Sequence, residues 1–286
     1  MTPHGLLKTF GGPYVVDSSM VNRLIPRIFA VASFVFMLVM NVLATTLPLN
    51  GQATNEISDR YDTLFAPIGF TFAIWGVIYL LLGVYTVVQL VADNDVIRSI
   101  TPLFIASSLL NGLWIVAWHY EALGVAAIII VALLGTLVVI NKRTTKERTT
   151  LGATLSIRVP FAVYFGWVTV ATVANISAWL VQLGFADGLW LSAEAWTIVI
   201  LVVATLIGST AALVNSSVSY SLVLVWAFWG ILSRHVAPTE WNQEFPGVIL
   251  ATQFLLPILG IVGVVAFVRW LRQPVIDWAS APLRRA

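Results

Sequence analysis

Of the 286 residues, 59% are hydrophobic and 10% charged, and the mean hydropathy is +0.93. Soluble domains carry roughly a quarter charged residues, so ordinary soluble folds, disordered chains and collagen-like repeats are excluded. The chain has no cysteine, which removes disulfides, thiolate metal sites and cysteine nucleophiles, and its net charge of +2 matters less than where the charges fall. Stretches of about 20 apolar residues, long enough to cross a bilayer, recur along the chain. The composition predicts an all-α fold, a polytopic transmembrane helical bundle.

In chain order, residues 1–27 lack a compact apolar core with a small-residue cleavage site, so they read as a cytoplasmic N-terminal segment rather than a signal peptide. Hydropathy then predicts eight spans, over 28–47, 67–91, 99–118, 122–141, 157–181, 195–214, 218–233 and 247–270, with a cytoplasmic tail over 272–286. The sixth and seventh are parted only by a polar turn around Asn215; fused, they would far exceed the bilayer thickness. The distribution of basic residues supports eight. Thirteen of the fifteen (Lys8, Arg23, Arg27, Arg98, Lys142, Arg143, Lys146, Arg148, Arg158, Arg269, Arg272, Arg284, Arg285) then share a side with both termini, and only Arg60 and Arg234 lie opposite. This places a multi-pass protein in the cell membrane with both ends cytoplasmic. The basic loop 142–148 either sets this topology or meets anionic lipid headgroups.

The first outer loop, LNGQATNEISDRYDTLFAP, is long enough to be functional and is either a plain polar connection or a lid over a pocket. No ionisable residue falls in the middle of any span, which argues against a proton-coupled pump or a voltage sensor. Phosphate-loop, HExxH and GxSxG motifs are absent, and no enzymatic chemistry is evident. His119 and Glu121, at the outer end of the third span, are either an interfacial cap or a proton shuttle. Nothing points to nucleic acid.

The second span carries Gly69, Gly76 and Gly83 at seven-residue spacing, a stripe expected to admit a closely packed helix from this chain or from a second copy in a homodimer. Beside it run Phe72, Trp75 and Tyr79, too deep for an interfacial belt, so they either hydrogen-bond within the bundle or line a cavity. The third span presents Ser107, Asn111, Trp114 and Trp118 on one face; the fifth presents Tyr164, Trp167, Ala171 and Asn175. Asn41, Asn111 and Asn175 need partners in hydrocarbon. They serve either as interhelical bonds or as orienting groups in an aromatic-walled ligand pocket.

Three of these patterns resemble the TspO/MBR family, the translocator proteins once called peripheral benzodiazepine receptors. Its second helix has Pro, Trp, Tyr and Gly at the spacing of Pro67, Trp75, Tyr79 and Gly83. Its third helix has Leu-Asn-x-x-Trp, matched by Leu110, Asn111 and Trp114, and its fifth has the spacing of Tyr164, Trp167, Ala171 and Asn175. The chain is most similar to the longer bacterial branch labelled tryptophan-rich sensory proteins. The resemblance covers a five-helix unit, 28–182, followed by a three-helix C-terminal membrane extension, 183–271. It departs in the first loop, where the family's WYxxLxKPxWxPP is replaced by DRYDTLFAP, and in Pro160, seven residues before Trp167.

The resemblance implies a membrane-embedded binding or sensing protein for a flat hydrophobic ligand, foremost a tetrapyrrole such as a porphyrin or haem, with no required cofactor or metal. It also implies that Trp75, Tyr79, Asn111, Trp114, Tyr164, Trp167, Ala171 and Asn175 approach one pocket, with Arg60 the nearest cation for a propionate. A permease for an uncharged or amphipathic metabolite is the alternative, and light-dependent breakdown of a bound pigment, ascribed to some family members, is a third reading.

Overall fold

The computed structural model describes residues 18–46, 49–61, 63–145, 149–185 and 190–275, with side chains from residue 24 onward. Segment 1–17, most of the tail, and Lys146, Arg148, Asp62 and Asp187 lie outside the described residues. Everything described is helix or short connection, as a bilayer demands when it offers the backbone no hydrogen-bond partners of its own. The elements are α1 (Ser18–Thr46), the short α2 (Thr54–Arg60), α3 (Ile74–Val91) entered by a 3₁₀ turn over Gly69–Ala73, α4 (Asp95–His119) and α5 (Leu123–Thr144). A single turn α6 (Leu151–Ala153) and a π-type turn (Thr154–Arg158) lead into α7 (Val159–Gln182), followed by α8 (Ala193–Val214), α9 (Val218–Val236) and α10 (Pro246–Arg272).

Seven of these are long and apolar enough to cross a membrane, counted among the described residues. The one predicted span outside that count is the seventh, α9, which is 19 residues long and carries Tyr220, Trp226, Trp229, Arg234 and His235. It packs between α7 and α10, where Tyr220 meets Thr169 and Ser221 the Leu259 carbonyl, while Trp226, Arg234 and His235 are met by the first loop and the turn that enters α3. The hairpin read around Asn215 is present, with α8 ending at Val214 and α9 starting at Val218.

One half is built by α1 on α4, α4 on α5 and α5 on α7; the other by α8 and α9 on α10; and the α7–α9 contact joins them. The two halves come closest at two small residues, one in the α7–α9 contact and one where α9 meets the turn before α3. A Cβ at Gly166 would meet Val223 Cβ at 2.9 Å, and one at Gly230 would meet Thr71 Oγ1 at 2.3 Å and Pro67 Cβ at 3.0 Å. The predicted Gly69/Gly76/Gly83 stripe does not seat a helix in this way. Nothing lies within 4 Å of a Cβ placed at Gly76, and Gly69 and Gly83 meet only Asn55 Nδ2 and Phe34, each at 3.7 Å. Of the three, only Gly76 faces open space, and the closest approaches occur instead at Gly112, Gly208 and Gly230, followed by Gly247, Gly124 and Gly166.

Arg158 is 3% exposed at the start of α7. Its guanidinium donates to the carbonyls of Asn215 and Ser216, at 2.6 and 3.0 Å. A cation is thereby set on the carbonyl end of α8, where the helix dipole favours it. Charge at depth is thus spent on closing a helix, as the polar turn requires.

Candidate functional site

Three helices run past one another at the lid end of the first half, and their directions decide which residues meet. The chain descends along α3 and rises along α4 and α7, so Trp75, Trp114 and Trp167 reach one level while Tyr79, Asn111 and Tyr164 lie one turn further from the lid. Trp75 stands in the centre of the upper layer. Its ring centroid is 5.8 Å from that of Trp114, 6.3 Å from Trp167, to which it is edge-on, and 6.2 Å from Tyr164; it stacks on Tyr79 at 5.7 Å. Trp114 stacks in turn on Trp118 at 5.9 Å, and Phe72 meets Trp167 edge-on at 5.9 Å. Offset and edge-to-face geometries of this kind are the favourable ones for rings with negative faces and positive edges.

Within this cage is a cavity of about 30 Å³, walled by Trp75, Trp114, Trp118, Trp167, Phe72, Pro67 and, from α7, Val170, Ala171, Ala174 and Asn175. Thr54 and Ser58 of α2 roof it. Of the eight residues expected to share a pocket, Trp75, Trp114, Trp167, Ala171 and Asn175 reach the wall. Tyr79, Asn111 and Tyr164 form the layer behind it. Trp118 and Phe72 belong to the wall and were legible only as members of the same helical stripes; Thr54 and Ser58 carried no sequence signal.

The two amides have partners. Asn111 Oδ1 accepts from Asn41 Nδ2 at 2.8 Å, joining α4 to α1. Asn175 Oδ1 accepts from Trp114 Nε1 at 2.9 Å, and its Nδ2 donates to the Leu123 carbonyl at 3.3 Å. Asn111 is therefore a tie between helices rather than a wall group, and Asn175 fixes the tilt of the Trp114 indole. Among the described residues, four buried groups of this cluster have no hydrogen-bond partner: the indole N–H of Trp167, the hydroxyls of Tyr79 and Tyr164, and Nδ2 of Asn111; of these residues only Trp167 lines the cavity. Trp167 is 2% exposed. A buried donor without an acceptor costs about 1–3 kcal/mol, so its place in a cavity wall calls for an acceptor from outside the chain.

The first loop folds down as the roof, anchored by Ile57 and Phe65, both buried. It is tied on two sides. Toward the first half, Trp118 Nε1 donates to the Thr54 carbonyl at 3.1 Å, and Asn50 Nδ2 to the His119 carbonyl at 3.1 Å. Glu121 accepts from Tyr61 OH at 2.7 Å and pairs with Arg60, while Gln182 Nε2 donates to Tyr61 OH at 3.2 Å. Toward the second half, Arg234 pairs with Asp59 at 3.1 Å, His235 Nε2 meets the Leu64 carbonyl at 2.9 Å, and Ile68 N–H donates to the Gly230 carbonyl at 3.2 Å.

Glu121 sits at φ 54° in the turn between α4 and α5. A glycine would hold that conformation more easily, and the carboxylate that stands there instead is the hub of the latch. The Tyr61 hydrogen bond, with Arg60 adding its charge, holds the Glu121 carboxyl below the usual carboxylate range. Burial and that same carboxylate push the Tyr61 phenol up. His119 and Glu121 are thus parts of the lid's seating. No group of three or more His, Cys, Asp or Glu able to hold a metal occurs among the described residues.

The family model described as TSPO-like protein matches residues 27–266, from α1 through most of α10 and so beyond the five helices that carry the motifs. No curated protein and no solved structure matches the chain.

Proposed function

The chain belongs to the TspO/MBR family of multi-pass membrane proteins, and from that premise we propose that it binds and senses a flat aromatic ligand, a tetrapyrrole foremost, in the indole cage beneath the lid. The observation that carries this reading is the unpartnered Trp167 N–H in a wall otherwise made of ring faces and small residues. Flat faces offer stacking to a macrocycle, Ala171 and Ala174 leave room beside it, and the N–H supplies one oriented bond to an acceptor on the ring or its edge.

Ligand sites usually enclose roughly 300–1,000 Å³, against a cavity here of about 30 Å³. Entry therefore requires Trp75 to swing out of the centre and α2 to lift. The wall contains no Lys or Arg, and no His, Cys, Met or Tyr for an iron. These residues suit a metal-free ring better than haem. Propionates would have to reach past the roof to Arg60, competing there with Glu121. The family link and the basic-residue asymmetry together support the cell membrane, with both termini cytoplasmic.

The test is titration of the purified protein with protoporphyrin IX, followed by tryptophan fluorescence and Soret absorbance. Trp167→Phe keeps a ring and removes the donor, and should weaken binding about fivefold, the value of roughly 1 kcal/mol for one neutral hydrogen bond. Ala171→Phe fills the cavity and should abolish saturable binding. Equal, non-saturable quenching in wild type and Ala171→Phe would remove the tetrapyrrole and bring forward transport of another small molecule, measured as flux into proteoliposomes.

A further inference from the structure

A second concavity lies on the neighbouring face of α7, sharing Val170 with the indole cage. The turn at residues 215–217 brings α8 and α9 together at one end, and a Cβ at Gly208 would sit only 2.4 Å from Leu224 Cδ1. Towards the lid the two helices part, because α8 leans on α10 and touches α9 only lightly. The result is a V-shaped cleft of about 360 Å³, twelve times the volume of the cage. Its floor is buried Val170, Leu224 and Phe228, and its roof is Phe65 of the lid, 2% exposed. Its outer wall is α8, where Trp196, Val199, Ile200, Val203 and Ile207 follow one helical stripe. Val199, Val203 and Ile207 are each over 40% exposed, so the cleft opens sideways, towards the membrane.

Three features of this cleft identify an occupant. From Trp196 to Ile207 the stripe rises ~16 Å at 1.5 Å per residue, which equals the depth of one leaflet, half of a hydrocarbon core about 30 Å thick. The cleft is almost wholly apolar along that length. At its lid end, on the first turn of α8, the Trp196 indole N–H is buried without an acceptor, and this is the level at which a bilayer places the ester carbonyls of its lipids. Indole rings are favoured at that level because one end is apolar and the other a donor.

We propose that this cleft is a binding site for one acyl chain of a glycerophospholipid from the lid-side leaflet, its ester carbonyl accepting from Trp196 Nε1. The chain would seat against Phe65 and Val170, and Val170 also lines the indole cage. A lipid bound there props the lid from outside the cage. The site is separate from the tetrapyrrole reading and stands if that reading fails.

The experiment is native mass spectrometry of the full chain, reconstituted in vesicles of either diester or diether phosphatidylethanolamine with matched sixteen-carbon chains, then released in mild detergent. Wild type should keep one lipid per chain, with the ester form retained about fivefold better than the ether, the effect of one hydrogen bond. Trp196→Phe should keep a lipid but lose the ester preference. Ala204→Phe, which fills the cleft from α8, should keep neither. Should Ala204→Phe fold poorly, Trp196→Phe decides alone, because it removes the N–H donor while keeping an aromatic ring at the mouth of the cleft, and its readout is the ester-to-ether ratio rather than total lipid. Equal retention in wild type and Ala204→Phe, or an ester preference unchanged by Trp196→Phe, would overturn the proposal and leave only unselective boundary lipid.

Discussion

Removing the Tyr61 hydroxyl should loosen the lid without disturbing the helices beneath it. In Tyr61→Phe, Glu121 loses its 2.7 Å donor, and Gln182 loses an acceptor at 3.2 Å. A hydrogen bond to a charged group contributes about 1.5–3 kcal/mol. The Arg60–Glu121 pair left behind is half exposed on the Arg60 side, and such pairs contribute only about 0–1 kcal/mol. Allowing for partial exposure of the carboxylate, the lid should weaken by about 1–2 kcal/mol, a five- to thirtyfold rise in the open fraction. Hydrogen exchange of the α2 amides in nanodiscs reads this directly, with the α4 and α7 amides as internal reference.

The latch also carries a pH signature. Glu121 titrates below the usual carboxylate range when folded, so its contribution is complete above its unfolded value and is lost as pH falls through the lowered one. Tyr61 is raised, so its contribution is complete below the ordinary tyrosine range and is lost as pH rises through the raised value. Between these limits the ratio of α2 exchange in Glu121→Gln to wild type should be flat, falling towards one in acid. If α2 exchange is the same in wild type, Tyr61→Phe and Glu121→Gln, the roof is held by burial of Ile57 and Phe65 instead, and the latch has no function.

Arg158→Met should lower the melting temperature by the equivalent of about 2 kcal/mol: two charged donors to the end of α8 are lost, while part of the cost of burying the guanidinium is recovered. Asn175→Ala strands the Trp114 N–H and should cost about 1–3 kcal/mol of stability; an affinity loss with unchanged stability would instead make Asn175 a direct ligand contact. Gly230→Ala forces a methyl to within 2.3 Å of Thr71 Oγ1, an overpacking expected to cost about 1–3 kcal/mol. Thr71→Ala in the same chain should restore most of it, and no restoration would mean that Pro67 sets the limit.

The eight helices were legible because a bilayer imposes one rule on every span, and hydropathy and basic residues record it independently. Even α9, too polar to qualify on composition alone, was found from the turn before it. The stripes that supply the cage wall were legible as helical spacing on α3, α4 and α7; that the three stripes approach one pocket came only from the family resemblance. What each amide bonds to was not legible. Asn41 and Asn111 are 70 residues apart, and a polar residue in an apolar helix announces a need without naming its partner. Within this chain the glycine stripe seats no close helix, because small residues permit close packing and do not compel it; the neighbours that use the permission lie at glycines such as Gly112, Gly166 and Gly230. The first loop's length raised the possibility of a lid, but its fastenings were hidden, since they run from Arg60 to Glu121 and from Asp59 to Arg234, with nothing periodic to mark them.

Those ties have a consequence for anyone cutting the gene. Hydropathy invites a truncation near residue 183, leaving five helices that contain every cage tryptophan. That cut would remove in one stroke the α9 partners of the Asp59 carboxylate, the Leu64, Ala66 and Thr71 carbonyls and the Ile68 amide. The shortened product would keep its walls and lose the fastening of its ceiling. Modularity in this chain therefore ends where the lid begins, and a fragment that still binds ligand would be expected to exchange it faster than the whole.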